Sequence, residues 1–205
     1  MTAEFVAIEG PNGSGKTTIA GLLAQRMNGW RGHEAVLTTE PTRSLLGDLL
    51  RASEWTLQGR ALALALAADR AHHIESMIIP TLDSGRHVIT DRYVQSSMVL
   101  QRIDGLDPDE IWTYNQYVLQ CTTIYLVDRP EVIAARLAAR SRLTRLELTG
   151  TPERELEYYR DAAAFLAHPD HSWVQHTIDC HGRRPQDIVD EIMRLLNIER
   201  TPGQM

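Results

Sequence analysis

The sequence is almost without lysine. Of its 21 basic residues, 20 are arginine and one, Lys16, is lysine. A GTPase reads its base through a further lysine in an N-K-x-D motif, so a chain whose single lysine stands in another motif is not a GTPase of that kind. The formal net charge is -6, and this acidic balance gives no general attraction to nucleic acid.

Cysteine and long apolar runs are also scarce. Two cysteines, Cys121 and Cys180, cannot form a disulfide framework, so we expect a reducing, cytoplasmic environment. No apolar run approaches the ~18 residues that a membrane-spanning helix needs. The opening MTAEFVAIEG lacks the basic residues and apolar core of a signal peptide, and we expect no membrane association. The length of 205 residues predicts a single domain over residues 1–205.

Short apolar segments, typical of strands, alternate with longer amphipathic segments, typical of helices. The predicted strands cover residues 5–8, 35–38, 87–90, 123–127 and 173–178. The predicted helices cover residues 16–27, 44–52, 60–82, 108–119, 130–139, 152–166 and 185–195. The alternation predicts an α/β fold with a five-stranded parallel sheet and helices on both faces. An Arg-rich insert at about residues 140–154 is predicted to form a short mobile lid.

Lys16 lies in the stretch AIEGPNGSGKTT, which contains the phosphate-binding motif G-x-x-x-x-G-K-[ST] between a predicted strand and a predicted helix. The glycines let the backbone fold closely around a phosphate, and the N–H groups at the helix start donate to the anion. A compact, mobile ammonium can follow the β- and γ-phosphates of ATP, whereas a planar guanidinium is a poor substitute. The predicted ATP-binding residues are Gly10, Asn12, Gly13, Ser14, Gly15, Lys16, Thr17 and Thr18.

An acidic residue that helps to hold Mg²⁺ is expected at the end of a second strand. The stretch HVITDRY places Asp91 directly after an apolar segment, with Arg92 next to it. Taken alone, this pair also fits an ion pair at a strand end. Beside a phosphate loop, we expect Thr17 to be a metal ligand and Asp91 either to hold the Mg²⁺ with its water shell or to assist an acceptor hydroxyl. We expect Arg92 to hold an acceptor anion.

The insert contributes three arginines, Arg140, Arg142 and Arg145, within six residues. Such a cluster fits either a solvated helix face or a lid. In a lid, the arginines would stabilise the charge on the transferred phosphoryl group and exclude water that would hydrolyse ATP. The predicted catalytic residues are Lys16, Asp91, Arg92, Arg140, Arg142 and Arg145.

Together these residues resemble the thymidylate kinase family over nearly the full chain. The likeness rests on the loop IEGPNGSGKTT, the stretch TTEPT, the segment LAADRAHHIESMIIPTLDSGRHVITDRYVQSS and a charged lid near RLTRLE. The resemblance implies the P-loop NTPase fold and Mg²⁺-dependent transfer of the γ-phosphate of ATP to a nucleoside monophosphate, with dTMP as the default acceptor. It also implies a homodimer.

Carried over by position, the resemblance gives roles to residues of the acceptor site. Arg70, in AADR, matches the residue that hydrogen-bonds the acceptor base, and Arg92 matches the clamp on its phosphate. Ser96 fits the family pattern DRYxxS, and Arg43 matches an acceptor-phosphate arginine. Gly13 stands where one subclass has arginine, which resembles the bacterial subclass whose catalytic arginine comes from the lid. The predicted acceptor-binding residues are Asn12, Arg43, Leu66, Arg70, Arg92, Ser96 and Leu100.

Three positions of the acceptor pocket depart from the family pattern. Asn12 replaces an acidic residue that contacts the sugar, Leu66 replaces a Phe that stacks on thymine, and Leu100 replaces an aromatic residue that disfavours a 2′-hydroxyl. Loss of stacking weakens base binding by ~1–3 kcal/mol. The alternative is therefore a kinase of the same fold that acts on a modified nucleotide, a ribonucleotide or a nucleoside. A non-enzymatic ATP-binding module is a further alternative.

The segment HPDHSWVQHTIDCH contains several potential metal ligands, namely His168, His171, His176, Cys180 and His181. Their spacing fits no standard zinc motif, and the segment contains the last predicted strand. We interpret it as a polar turn beside that strand. By resemblance, the loop at residues 180–184 lies near the adenine of ATP.

Overall fold

Five strands form one parallel sheet in the computed structural model, which describes residues 3–30 and 32–198. The strands are β1 (Phe5–Glu9), β2 (Ala35–Thr39), β3 (His87–Asp91), β4 (Thr122–Val127) and β5 (Gln175–Asp179). Their order across the sheet is β2-β3-β1-β4-β5, so the predicted five-stranded parallel sheet is confirmed. The domain predicted for residues 1–205 includes residues 1–2, 31 and 199–205, which lie outside the described residues.

Helices connect the strands and cover both faces of the sheet. They are α1 (Lys16–Asn28), α2 (Leu45–Ala52), α3 (Gly59–His73), α4 (Ile79–Asp83), α5 (Val94–Ile103), α6 (Pro108–Thr113), α7 (Pro130–Ala138), α8 (Arg145–Thr149), α9 (Pro152–Ala167) and α10 (Pro185–Leu195). A π-helical turn, Ile74–Ile78, joins α3 to α4. Pro80 in α4 has no amide hydrogen to donate, and the hydrogen-bond spacing changes just ahead of it.

The central strand β1 is buried on both faces, which is why it has no polar and apolar alternation. Val6 and Ile8 belong to the apolar cluster on one side of the sheet, together with residues of α1 and α10. Phe5 and Ala7 belong to the cluster on the other side, which includes residues of α5 and α9. Burial of each large apolar side chain contributes roughly 1.5–3 kcal/mol to folding, so the two clusters fix the position of β1. Its carboxyl end carries the phosphate loop.

The structure corrects the predicted helices in three places. A helix, α5, covers residues 94–103, for which none was predicted, because burial of most of its side chains outweighs the weak helix propensity of its Val and Ser residues. α6 ends at Thr113 rather than at residue 119, and just beyond it the buried carboxamide of Asn115 turns inward. The insert contains a short helix, α8, whose first turn is closed by a capping box between Thr144 and Glu147.

The segment rich in histidine spans several elements. His168 and His171 lie in the turn after α9, His176 lies in β5, and Cys180 and His181 follow β5. Within the described ranges, no group of three or more His, Cys, Asp or Glu side chains is arranged to hold a metal ion. None of the helices described is both long enough and apolar enough to cross a membrane.

Candidate active site

The loop between β1 and α1 has the shape that a phosphate requires. Gly10 has a φ of 139°, and a Cβ at this position would lie 2.3 Å from the carbonyl oxygen of Leu126 in β4. Gly15, the residue before α1, has a left-handed backbone conformation. As a glycine it has no side chain that could cap the helix. The first N–H groups of α1 are therefore not capped by a side chain, as an anion-binding helix start requires.

Lys16 is held over this loop by backbone oxygens. Its ammonium donates hydrogen bonds to the carbonyl oxygens of Gly10 and Pro11, each at 2.8 Å, and the residue is 5% exposed. Burial, reinforced by the positive charge of Arg92, lowers the pKa of Lys16 to about 7, although Asp91 and other carboxylates oppose the shift. The site therefore contains too little negative charge to keep Lys16 fully protonated at neutral pH. Bound phosphate groups would supply that charge.

Thr17 and Asp91 meet because β1 and β3 are neighbours in the sheet. The pairing sets Ile8 beside Asp91, and the hydroxyl of Thr17 donates a hydrogen bond of 2.5 Å to Asp91 Oδ2. The other carboxylate oxygen, Oδ1, is buried and has no hydrogen-bond partner among the described residues. A hydroxyl and a free carboxylate oxygen are ligands that Mg²⁺ accepts, so these residues fit the ion predicted for them.

Arg92 points from the end of β3 toward the loop. Its φ of 75° is uncommon for a residue with a side chain, and such conformations cluster at functional sites. The guanidinium donates to Asn12 Oδ1 at 2.6 Å and to Ser96 Oγ at 3.2 Å. The backbone is held by hydrogen bonds from Arg92 N to Ile8 O and from the Thr90 hydroxyl to Arg92 O. The guanidinium is thus fixed between the phosphate loop and α5.

Glu9, the last residue of β1, fixes the turn that carries Arg92. The carboxylate is fully buried and accepts hydrogen bonds from Tyr93 N, Ser96 N, Ser96 Oγ and Tyr159 Oη at 2.7 to 3.2 Å. Burial raises the pKa of Glu9, while the hydrogen bonds and nearby cations oppose that change. Sequence reasoning did not identify Glu9, although an acidic residue ending an apolar strand was a visible signal.

Asn12 is held in one orientation by a residue that the sequence did not single out. Glu155, buried in α9, accepts hydrogen bonds from Asn12 N at 2.7 Å and from Asn12 Nδ2 at 3.0 Å. Asn12 therefore directs its carboxamide oxygen to Arg92 and its nitrogen to Glu155. An aspartate at position 12 would face the Glu155 carboxylate at the same short distance, so asparagine is the residue type that fits here.

A cavity of about 300 Å³ opens beside the loop. It lies between the phosphate loop, the β2–α2 loop, α3, α5 and the insert. The structure brings together here all seven residues predicted to bind the acceptor, namely Asn12, Arg43, Leu66, Arg70, Arg92, Ser96 and Leu100.

Arg70 lies at the cavity wall in a buried polar network. It donates through Nε to Glu40 at 2.7 Å, through Nη1 to Asn115 Oδ1, and through Nη2 to Ser97 Oγ at 2.9 Å and Tyr93 O at 3.3 Å. A guanidinium has five N–H donors, so one N–H of Nη1 has no partner in this network. The network holds Arg70 in one orientation at the cavity wall.

Gln101 is a cavity residue that sequence reasoning missed. It is 2% exposed, it lines the cavity, and neither its Nε2 nor its Oε1 has a hydrogen-bond partner in the part of the chain described. An unpaired buried carboxamide is costly, so Gln101 is available to hydrogen-bond a molecule in the cavity. The spacing of Ser97 and Gln101 would have placed both on one helix face if α5 had been predicted.

The insert lies over the cavity, with Thr144, Leu146 and Glu147 among the lining residues. Its arginines differ in their surroundings. Arg140 pairs with Glu147 at 2.5 Å, and Arg145 pairs with Asp104. Arg142 is exposed and makes no ion pair within residues 3–30 and 32–198.

A second group of charges follows β4 and β5, at the far side of the loop. The buried Asp128 lies 3.2 Å from His181 Nδ1 and 3.0 Å from Arg136 Nη2. Residues 180–184, predicted to lie near adenine, are therefore at the same edge of the sheet as the phosphate loop.

Comparisons with known proteins identify one family that this chain resembles in sequence and fold. A family model described as thymidylate kinase matches residues 8–181. A probable thymidylate kinase of Thermococcus kodakarensis is 39% identical over 137 residues, which cover 62% of this chain and 66% of that protein. The thymidylate kinase of Clavibacter michiganensis subsp. michiganensis is 39% identical over 179 residues, which cover 81% of each protein. A solved thymidylate kinase from Ehrlichia chaffeensis has a TM-score of 0.72 over 96% of this chain and all of that one, with 24% identity, and confirms the fold.

We expect Mg·ATP binding at pH 8 to take up about one proton, because the phosphates raise the pKa of a lysine that stands at about 7 in the free loop. Calorimetric titrations in two buffers of different ionisation enthalpy measure the uptake. At pH 6, where Lys16 is already charged, the uptake should disappear, and Lys16→Met should abolish the uptake at pH 8. Identical heats in both buffers at pH 8 would contradict the role of Lys16.

Proposed function

The chain belongs to the thymidylate kinase family, and we propose that it transfers the γ-phosphate of ATP to dTMP, forming ADP and dTDP. The observation that supports this proposal most directly is the cavity, because it joins the phosphate loop to a pocket with an apolar wall and buried polar groups that include Arg70 and Gln101. Phosphoryl transfer requires little more than such positioning, together with stabilisation of charge. We further propose that one catalytic domain contains both sites, with residues 140–154 as its lid.

At the donor end, the N–H groups of the loop and the Lys16 ammonium bind the phosphates of ATP. The ammonium can move from the loop to a bound nucleotide, because its two partners are backbone oxygens that phosphate oxygens can replace. Thr17 and Asp91 would hold Mg²⁺, which neutralises charge on the phosphate oxygens when it is bound. The loop at residues 180–184 receives the adenine.

At the acceptor end, Arg92 binds the phosphate of the nucleoside monophosphate. Its guanidinium is already oriented by Asn12 and Ser96, so little side-chain conformational freedom is lost when the phosphate binds. Arg43 lines the same part of the cavity and is exposed, so it adds positive charge at the entrance. The attacking phosphate oxygen is thereby held facing the donor loop.

The base occupies the part of the cavity between α3 and α5. A thymine edge offers one N–H donor and two carbonyl acceptors, and these match the carboxamide of Gln101 and the free N–H of Arg70. Leu66 and Leu100 enclose the ring with aliphatic rather than aromatic surface. This aliphatic wall is the observation that favours a second candidate, the same reaction on a different pyrimidine nucleotide.

The lid excludes water and supplies positive charge to the transferred group. Arg142 is the lid arginine that we assign to this role, since it makes no ion pair with a described residue. The two thiols, Cys121 and Cys180, are buried and free, and they support a cytoplasmic location.

We also propose that the protein is a homodimer that buries the outer face of α3. Ala61, Leu64 and Ala68 form an exposed apolar stripe at helical spacing, and Leu64 is 48% exposed. Small residues beside a large one allow close approach of a second helix.

We expect fast ADP formation from Mg·ATP with dTMP, measured against dUMP, 5-substituted pyrimidine monophosphates, ribonucleotides and unphosphorylated nucleosides. Lys16→Ala should remain folded by circular dichroism and lose at least ~100-fold in kcat, because it removes charge stabilisation in the transition state. If only another acceptor is turned over, that acceptor is the substrate instead of dTMP. If no acceptor in the panel gives ADP formation, the protein is an ATP-binding module rather than a kinase.

Gln101→Leu should lower kcat/KM for dTMP by roughly 5- to 150-fold, mainly through KM, since the base edge loses a partner worth about 1–3 kcal/mol. Steady-state kinetics measure the change. Gln95→Leu is the matched control, because Gln95 is a buried glutamine of the same helix that bonds Thr123 and does not line the cavity. Equal effects of both substitutions on KM would contradict base recognition by Gln101.

For the dimer, light scattering after size exclusion should give twice the chain mass for the wild type and the chain mass for Leu64→Arg. Burying a charge in the centre of an apolar interface is strongly unfavourable. Leu45→Arg, at an exposed position of α2, is the control and should remain dimeric. A monomeric wild type, or a dimeric Leu64→Arg protein, would refute the proposed interface.

A further inference from the structure

Arg145 and Asp104 form a buried ion pair beneath the lid. The guanidinium is bidentate, with Nη1 donating to Asp104 Oδ1 at 2.5 Å and Nη2 donating to Asp104 Oδ2 at 2.7 Å. The two side chains are only 9% and 6% exposed. Arg145 Nε also donates to the backbone oxygen of Glu54 at 2.8 Å. All three nitrogens of this guanidinium therefore donate to the protein rather than into the phosphate site.

Asp104 stands where the helices of the acceptor pocket meet. It follows the last residue of α5, the helix that carries Ser97 and Gln101. Its Oδ2 also accepts a hydrogen bond of 3.3 Å from Gly59 N, at the start of α3. One carboxylate thus connects the lid helix to both helices that enclose the base.

The charges around this pair support a fixed rather than a mobile arginine. Besides Asp104, the Glu54 carboxyl faces Arg145, with Arg142 and Glu147 nearby. Two planar groups with two parallel hydrogen bonds form the strongest and most directional ion pair available to side chains. Because the pair is partly buried, salt screens its attraction less than it would screen that of an exposed lid arginine.

We propose that Arg145 and Asp104 form a latch that holds the lid on the acceptor pocket, so that Arg145 is a positioning residue rather than one that touches the transferred phosphoryl group. The proposal rests on the proposed kinase activity and deepens it. The lid arginines then have different roles, since Arg145 anchors α8 while Arg142 is exposed and makes no ion pair with a described residue. Through Asp104, the lid helix is joined to the start of α3 and to the end of α5.

The experiment compares Asp104→Asn, Arg145→Lys and their combination in the full chain. Arg145→Lys keeps the charge but loses the bidentate fork. Each single variant should raise KM for dTMP by about tenfold with kcat within about threefold, and the double variant should be no worse, because both changes break one interaction. Hydrolysis of ATP without an acceptor should rise in all three. Asp161→Asn is the matched control, since it breaks the exposed ion pair between Arg102 of α5 and Asp161 of α9, and it should change none of these values.

Two further outcomes overturn the latch. Arg145→Lys that lowers kcat by about 100-fold at unchanged KM, with Asp104→Asn equal to wild type, would place Arg145 on the phosphoryl group. Additive effects of the two substitutions would show that the residues act separately. If Asp104→Asn does not fold, as judged by circular dichroism, Arg145→Lys alone decides through the split between KM and kcat.

A readout that needs no acceptor keeps the latch separate from the proposed function. We expect trypsin to cleave after Arg140 and Arg142 more readily when the lid is released, because both residues are exposed and precede α8. Cleavage of the lid should be faster in Asp104→Asn and Arg145→Lys than in wild type and Asp161→Asn, even if dTMP proves not to be the acceptor. Equal cleavage rates in all four proteins would overturn the latch while leaving the kinase proposal untouched.

Discussion

The pairing of β1 with β3 is the constraint on which the site depends. Parallel strands end at the same edge of a sheet, so the loop after β1 and the Asp91-Arg92 pair at the end of β3 must meet. The pairing of Ile8 with Asp91 then sets the distance between Thr17 and its carboxylate partner. Both strands are fixed by apolar clusters on the two faces of the sheet. Chemistry that requires accurate spacing is therefore built on the most rigid part of the molecule.

The charges at this edge are balanced for a site that receives phosphate. Lys16 and Arg92 are surrounded by Glu9, Asp91 and Glu155, and all except Asp91 and Arg92 are buried. At neutral pH the unfolded chain holds the Lys16 proton more tightly than the folded chain does, because the folded pKa is lowered from 10.5 to about 7. Lys16 therefore reduces stability below pH 10.5, and a bound phosphate reverses that effect. An arginine in its place would stay charged and would need partners for five donors where the loop offers two carbonyl oxygens.

Much of this architecture follows from the sequence, since strands and the phosphate loop depend on local patterns. The five strands and the loop residues were predictable because apolar runs and the glycine spacing encode them directly. The helix α5 was not, because Val94, Ser96 and Ser97 favour a helix only once they are buried against the sheet. The capping box of Thr144 and Glu147 was visible as T-x-x-E, and it marks α8 within the insert. Glu155 and Asp104 carried no local signal, because their roles arise from contacts with residues far away in the chain.

The position of Asn12 shows why a departure from a family pattern need not mean a loss. The resemblance to the thymidylate kinase family implies an acidic residue at position 12, where this chain has Asn12. In the folded chain, Glu155 of α9 supplies a carboxylate to the same place, and Asn12 converts it into an orientation for Arg92. Because Glu155 lies in the first turn of α9, directly after the insert, this contact also joins the phosphate loop to the segment that follows the insert. Asn12 and Glu155 thus orient Arg92 together, with the amide in the phosphate loop and the carboxylate in α9.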